Sequence, residues 1–179
     1  TWTLLEGSWQ QLLTRADYPS RIRELLGEAL AAVTLLSNSI KHSGSIILHI
    51  RGDGPLHLLV VQANSNGSVR GLARWTSIPD AQATLPDIVG SGHIAITLDS
   101  EKEHERYQGI IAIEGASLAQ ALEHYFHQSE QLPTRLYLVA DDKHCAGILL
   151  QRLPNQEQDS DGFERTSILL DTLTQPELL

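Results

Sequence analysis

The sequence predicts an α+β fold in which antiparallel sheets, built from hairpins, pack around a long buried helix and a second amphipathic helix. Three observations carry this. Apolar residues recur every three to four positions from about Pro19 to Ile40, then every second position after Ser43-Gly44. Tight, glycine-rich turns separate the alternating stretches, and short links between neighbouring strands require antiparallel pairing. A second helical stretch after Ser117 divides the strands into two groups.

In the first helix, Ile22, Leu25, Leu26, Ala29, Leu30, Val33, Leu36 and Ile40 form one face. Ala32 and Leu35 widen that face until little polar surface remains, which places the helix between layers rather than on a surface. A weaker helix precedes it, around Ser8 to Arg15. Ile46, Leu48 and Ile50 alternate with Ile47 and His49, Gly52-Asp53-Gly54-Pro55 turns the chain, and Leu56, Leu58 and Val60 resume the alternation. Asn64-Ser65-Asn66-Gly67 leads into a strand from Ser68 to Trp75, followed by a polar loop containing Pro79 and Pro86. Strands over His93–Leu98 and Arg106–Ile113 are joined by the charged turn Glu101-Lys102-Glu103-His104-Glu105.

Ser117-Leu118-Ala119-Gln120 is a capping box that opens a helix with Leu118, Ala121, Leu122, Tyr125 and Phe126 on one face, stopped by Pro133. Thr134–Ala140 and Cys145–Arg152 complete about seven strands, around the loop Asp141-Asp142-Lys143-His144. A polar stretch from Asn155 to Gly162 and a short helix from Phe163 to about Asp171 follow. Thr174-Gln175-Pro176-Glu177 reads as a helix start with only Leu178 and Leu179 beyond it, and the chain holds no Met. Both features lead us to expect a piece of a longer protein, with a body over residues 1–155 and a truncated helical segment over 156–179.

With 179 residues and 41% hydrophobic composition, the chain can bury a sizeable core. A formal net charge of −9 repels phosphate backbones, so nucleic acid is not an expected partner. No run of about 18 apolar residues is present to span a membrane, and the first residues lack the pattern of a signal peptide, so a cytoplasmic location is expected. The single cysteine, Cys145, can form neither an intrachain disulfide nor a four-thiolate zinc site.

The motifs that carry chemistry elsewhere read as structure here. Gly52-Asp53-Gly54-Pro55 and Gly90-Ser91-Gly92 lead into strands, whereas a phosphate cradle leads into a helix N-terminus. His124 and His127 lie three apart on one helix beside Glu123, a possible pair of metal ligands with no predictable third. His144 and Cys145 are adjacent on a strand and so face opposite sides, which opposes a thiol–imidazole pair. The Glu101–Glu105 cluster reads as a solvated loop, and Arg106-Tyr107-Gln108-Gly109 and Arg135 carry no reaction signature. No catalytic, cofactor-binding or metal-ligating residue is assigned from the pattern, and no enzyme is expected. Ile47, Leu59 and Ile111 are strand residues whose second face is also apolar, and the reading puts them beneath a helix.

Several stretches resemble the core domain of the heat shock protein 33 family. They are Arg106-Tyr107-Gln108-Gly109-Ile110, Ile113-Glu114-Gly115, Leu118-Ala119, Tyr125-Phe126 and Ser129-Glu130-Gln131-Leu132-Pro133-Thr134-Arg135-Leu136. Asp17-Tyr18-Pro19, Gly52-Asp53-Gly54-Pro55-Leu56 and Arg70-Gly71-Leu72-Ala73-Arg74 fit the same pattern. The resemblance implies an ATP-independent holdase chaperone that binds unfolding proteins, forms homodimers with exchanged elements, and is switched by oxidation of a C-terminal zinc module. The Cys-x-Cys and Cys-x-x-Cys pairs of that module are missing from this sequence, so no metal ligand or redox cysteine carries over. On the same resemblance, 156–179 corresponds to the start of the family's linker. Two other readings stand beside it: a small metal-dependent hydrolase or transferase using His124 and His127, and a plain dimerisation module.

Overall fold

The computed structural model describes residues 1–39, 43–100, 106–152 and 161–179. Ile40, the charged turn at 101–105 and the polar stretch over 155–160 lie outside the described residues. In chain order the elements are β1 (Trp2–Leu5), α1 (Gly7–Leu13), α2 (Ser20–Ser39), β2 (Gly44–Gly52), β3 (Leu56–Asn64), β4 (Val69–Trp75), α3 (Leu85–Val89), β5 (Gly92–Ser100), β6 (Arg106–Ile111), α4 (Leu118–Ser129), β7 (Thr134–Ala140), β8 (Cys145–Gln151), α5 (Gly162–Leu170) and α6 (Gln175–Leu178).

The strands form two fully antiparallel sheets, one ordered β1-β8-β7 and the other β4-β3-β2-β5-β6. Helix α2 lies between them and touches strands of both, which is the sandwiching that its broad apolar face predicts. Ala29 through Val33 are all fully buried, so in mid-helix no side faces water. Each large apolar side chain removed from water there contributes roughly 1.5–3 kcal/mol. Ile46, Leu48 and Ile50 of β2, Leu59 and Val61 of β3, Ile94 of β5 and Ile111 of β6 form the floor under the helix.

Three expectations need correction. Trp2–Leu5 is an eighth strand, pairing with Cys145–Ile148; with no turn on its N-terminal side, a four-residue strand leaves too little periodicity to read. The region around Pro86 is not all loop, because Thr84 caps the short helix α3. The Asp87 carboxylate accepts from the Thr84 N–H at 2.9 Å and the Thr84 hydroxyl at 2.6 Å, and Pro86 occupies the first turn, where its missing N–H costs nothing. Helix α4 ends at Ser129, before Pro133 can stop it. Gln131 adopts a left-handed conformation (φ 54°), and the Leu132 N–H closes back on the Phe126 carbonyl at 3.1 Å.

The capping box at Ser117 forms in altered shape. Its hydroxyl accepts from the Gln120 N–H, while the Gln120 amide oxygen takes the N–H of Ala116 rather than of Ser117. The box at Thr174 does form, with Glu177 accepting from the Thr174 N–H at 2.8 Å.

Packing between α2 and the smaller sheet depends on Gly27. A Cβ built there would lie 2.4 Å from the Ala140 Cβ and 3.1 Å from the Cys145 Cβ. Gly27→Ala gains about 1 kcal/mol in helix propensity but overpacks the contact, and a net loss of about 1–2 kcal/mol is expected in urea unfolding. Leu30→Ala, which leaves a cavity between the sheets, is expected to cost more, about 2–5 kcal/mol.

Glu28 also sits on α2. Burial, partly offset by Arg21, raises its carboxyl from 4.5 to about 7. Below 4.5 the group is neutral whether the chain is folded or not; between 4.5 and 7 only the unfolded chain ionises it freely, so its burial costs stability progressively as pH rises. Glu28→Gln is therefore expected to stabilise by on the order of 1–2 kcal/mol at about pH 8 and by nothing measurable near pH 4, read from urea midpoints at the two pH values.

Candidate functional site

Only one face of the five-stranded sheet is used by α2. On the other, strand register lines up Leu72 of β4, Val60 of β3, His49 of β2, Ala95 of β5 and Ile110 of β6 in one row across the sheet. Leu72 is 42% exposed and Ile110 60% exposed, while Val60 and His49 are half-buried and the small Ala95 is buried between its neighbours. The flanking rows are Arg74–Leu58–Arg51–His93 and Arg70–Gln62–Ile47–Thr97–Gln108. No described helix packs over this surface. An open aliphatic stripe rimmed by polar side chains is the form that protein-binding surfaces take.

Of the apolar strand residues singled out from the sequence, Leu59 and Ile111 are buried under the helical layer as expected, whereas Ile47 belongs to the open face, half-buried beside Gln62 and Thr97. Sequence alternation alone does not single out the exposed members of the row, Leu72 and Ile110. The signal was present in Ile110-Ile111, adjacent apolar residues on a strand that must face opposite sides.

The motif candidates resolve into structural roles. The two glycine turns meet each other: Gly52 pairs with Gly92, the Gly54 N–H donates to the Val89 carbonyl at 2.9 Å, and Asp53 accepts from the Ser91 N–H at 2.7 Å. A Cβ on Gly52 would lie 2.0 Å from the Val89 carbonyl oxygen, so glycine is required by close approach of backbone. Gly109 likewise makes room for the Tyr125 ring, whose hydroxyl lies 3.3 Å from that of Tyr107; both hydroxyls reach Glu130. Burial and these neighbours push the Tyr125 phenol up, so it stays protonated.

Arg135 is the centre of a polar cluster that ties α5 to the smaller sheet. Its guanidinium donates to Ser167 at 3.1 Å and to Asp171 at 3.0 Å, with Glu123 at 3.5 Å. The Tyr137 hydroxyl donates to Asp171 at 2.7 Å, a bond that together with Arg135 holds that carboxyl below its usual range. Helix α5 is thus attached by its polar side, leaving Ile168 and Leu169 exposed at 64% and 68%.

The histidine helix does not assemble a metal centre. His124 is engaged by Glu114 at 2.9 Å, His127 is exposed, and among the described residues no grouping of three potential ligands could hold a metal ion. Cys145 is fully buried against Gly27, and burial pushes its thiol up to about 12; His144 turns away toward Glu6 and Asp141. A neutral, enclosed thiol fits neither a zinc ligand nor a nucleophile. The site therefore consists of a surface, with no cleft of converging reactive groups among the described residues.

The chain is thus an α+β domain of two antiparallel sheets that leaves one sheet face open beside its helical core, and comparison with known proteins identifies the family. The model of the family described as Hsp33 protein matches residues 1–179, and this chain belongs to that family. Curated relatives include the 33 kDa chaperonin of Shewanella denitrificans, 45% identical over 174 residues (97% of this chain, 60% of the relative). That of Nitrosococcus oceani is 45% identical over 176 residues (98% and 60%). The chain therefore spans about 60% of the length of these relatives. The crystal structure of the 33 kDa chaperonin from Thermotoga maritima superposes with a TM-score of 0.82 at 19% identity, over 99% of this chain and 65% of that one, and shows that the fold is shared.

The state of Cys145 is open to direct measurement. At about pH 8, alkylation by iodoacetamide is expected to be at least roughly a thousandfold slower in the folded chain than in guanidinium, because so little thiolate forms. Rapid labelling of the folded chain would contradict the burial described.

Proposed function

We propose that this chain is the client-binding core of an ATP-independent holdase chaperone, which captures unfolding polypeptides and keeps them from aggregating. The observation that carries the reading is the sheet face without a helix over it, whose row Leu72–Val60–His49–Ala95–Ile110 exposes Leu72 and Ile110, in a member of a family whose curated relatives are named chaperonins. Apolar segments exposed by a damaged protein gain roughly 25 cal/mol for each square ångström removed from water, and a broad flat sheet offers that gain without demanding one sequence. No nucleotide enters this reading, because binding alone supplies the protection.

The family's redox control belongs to the same proposal. The resemblance implies that zinc is released from cysteines of a C-terminal module on oxidation; the one thiol of this sequence, Cys145, takes no part in it. Residues 1–155 are read as the core, with 156–179 as the start of the linker. A cytoplasmic location and a homodimer, with elements exchanged between subunits, complete the reading. The outward Ile168 and Leu169 of α5 are consistent with a segment that finds cover elsewhere.

The chain should suppress aggregation of a heat-denatured client at near-equimolar ratio, without ATP and equally before and after peroxide. Leu72→Ser combined with Ile110→Ser is expected to lower that protection several-fold while shifting the melting temperature by only about 2 °C, since both side chains are exposed. Full protection by the double variant would remove this face from the account, and absence of protection by the unmodified chain would refute the holdase reading itself.

A further inference from the structure

The open face carries charge of the opposite sign to the rest of the molecule. The chain has a formal net charge of −9, yet the strand positions of this face hold Arg51, Arg70, Arg74 and Arg106 with His49 and His93, against Asp99 as the acid among the described residues. Of the arginines elsewhere, Arg21 pairs with Glu24 at 2.9 Å, Arg135 with Asp171 at 3.0 Å and Arg165 with Asp161 at 2.6 Å, while Arg15, Arg23 and Arg152 form no ion pair among the described residues. What sets the face apart is that its cations are gathered on one surface without such pairs. Arg70 donates to the amide oxygen of Gln62, which bears no charge, and among the described residues Arg51 and Arg74 form no ion pair.

Register places these cations on both sides of the aliphatic row. Arg74 and Arg51 lie in the row to one side and Arg70 in the row to the other, each about 7 Å from the apolar line, within reach of a side chain laid along it. His49 sits among these groups, its imidazolium disfavoured by burial first and then by Arg51 and His93.

We propose that this face selects acidic apolar segments of unfolded polypeptide, its aliphatic row taking the apolar side chains while Arg51, Arg70 and Arg74 pair with flanking carboxylates. This rests on the holdase reading and narrows it to a client class. Unneutralised guanidinium groups beside a desolvating apolar strip favour such partners in both rate and choice, because like charges are repelled and carboxylates are steered in. A nucleic acid fits less well. The strand positions of the face carry no Phe, Tyr or Trp on which bases could stack, and the chain as a whole is anionic.

The test uses three 15-residue peptides with the same leucines and valines, whose remaining positions carry Glu, Gln or Lys, each bearing a neutral fluorophore. Anisotropy with the 179-residue chain should rank them Glu, Gln, Lys, with roughly a tenfold difference between the first and last at about 50 mM salt, narrowing at about 300 mM. Arg51→Gln with Arg74→Gln should collapse the ranking while leaving affinity for the Gln peptide within about twofold, at an unchanged melting temperature. The salt response of the unmodified chain decides the matter should that variant fold poorly. Equal binding of the three peptides, a ranking retained by the folded variant, or tighter binding of a single-stranded oligonucleotide than of the Glu peptide would each overturn the proposal. If the Gln peptide binds and clients are protected without any charge ranking, the selectivity falls and the holdase reading stands. If no peptide binds and no client is protected, both fall.

Discussion

The whole architecture follows from one helix that cannot tolerate water on any side. From Ala29 to Val33 every side chain of α2 is fully buried, and a helix apolar all round needs a layer on each side. The chain supplies those layers as two antiparallel sheets. Small residues set how closely they approach: Gly27 lets Ala140 and Cys145 of the smaller sheet come against the helix backbone, and Ala29, Ala31 and Ala32 keep the helix slim. Once α2 has consumed one face of each sheet, the second face of the larger one has no partner within the described fold. The open surface is a consequence of how the core is built.

The stretches that identify the family mark structural junctions and not a reactive centre. Gly109 exists to admit the Tyr125 ring, Gly52 and Gly92 to let two turns touch, and Gln131 to terminate α4 in a left-handed conformation. Arg135 gathers Glu123, Ser167, Asp171 and Tyr137, and thereby fixes α5 and the middle of α4 to one sheet. Each of these residues serves several partners at once, so the stretches report on how the fold is joined and not on a reaction.

A surface that binds unfolded chains faces two opposing demands. It must be apolar enough to gain from desolvation, yet a large uninterrupted patch would associate with its own copies. Here the apolar row, widened by Leu58 on one side and Ile47 on the other, is bordered by arginines, glutamine and threonine. In the role proposed, such a border opposes self-association and discriminates among partners by charge, within a molecule whose net charge is negative.

Much of this was legible without coordinates. Periodicity alone specified the buried helix, the hairpins and the antiparallel pairing, because a 3.6-residue or two-residue repeat is a local property written into neighbouring residues. A single cysteine excluded a four-thiolate metal site in the same way. Periodicity could not report which strand face would meet α2, that Trp2–Leu5 would join β8 some 140 residues later, or that Leu72 and Ile110 would fall in one row with His49. Those depend on register between strands distant in sequence. The sequence by itself determined the layers; tertiary pairing decided which surface they left open, because alternation says that a strand has two faces and only its neighbours settle which one is covered.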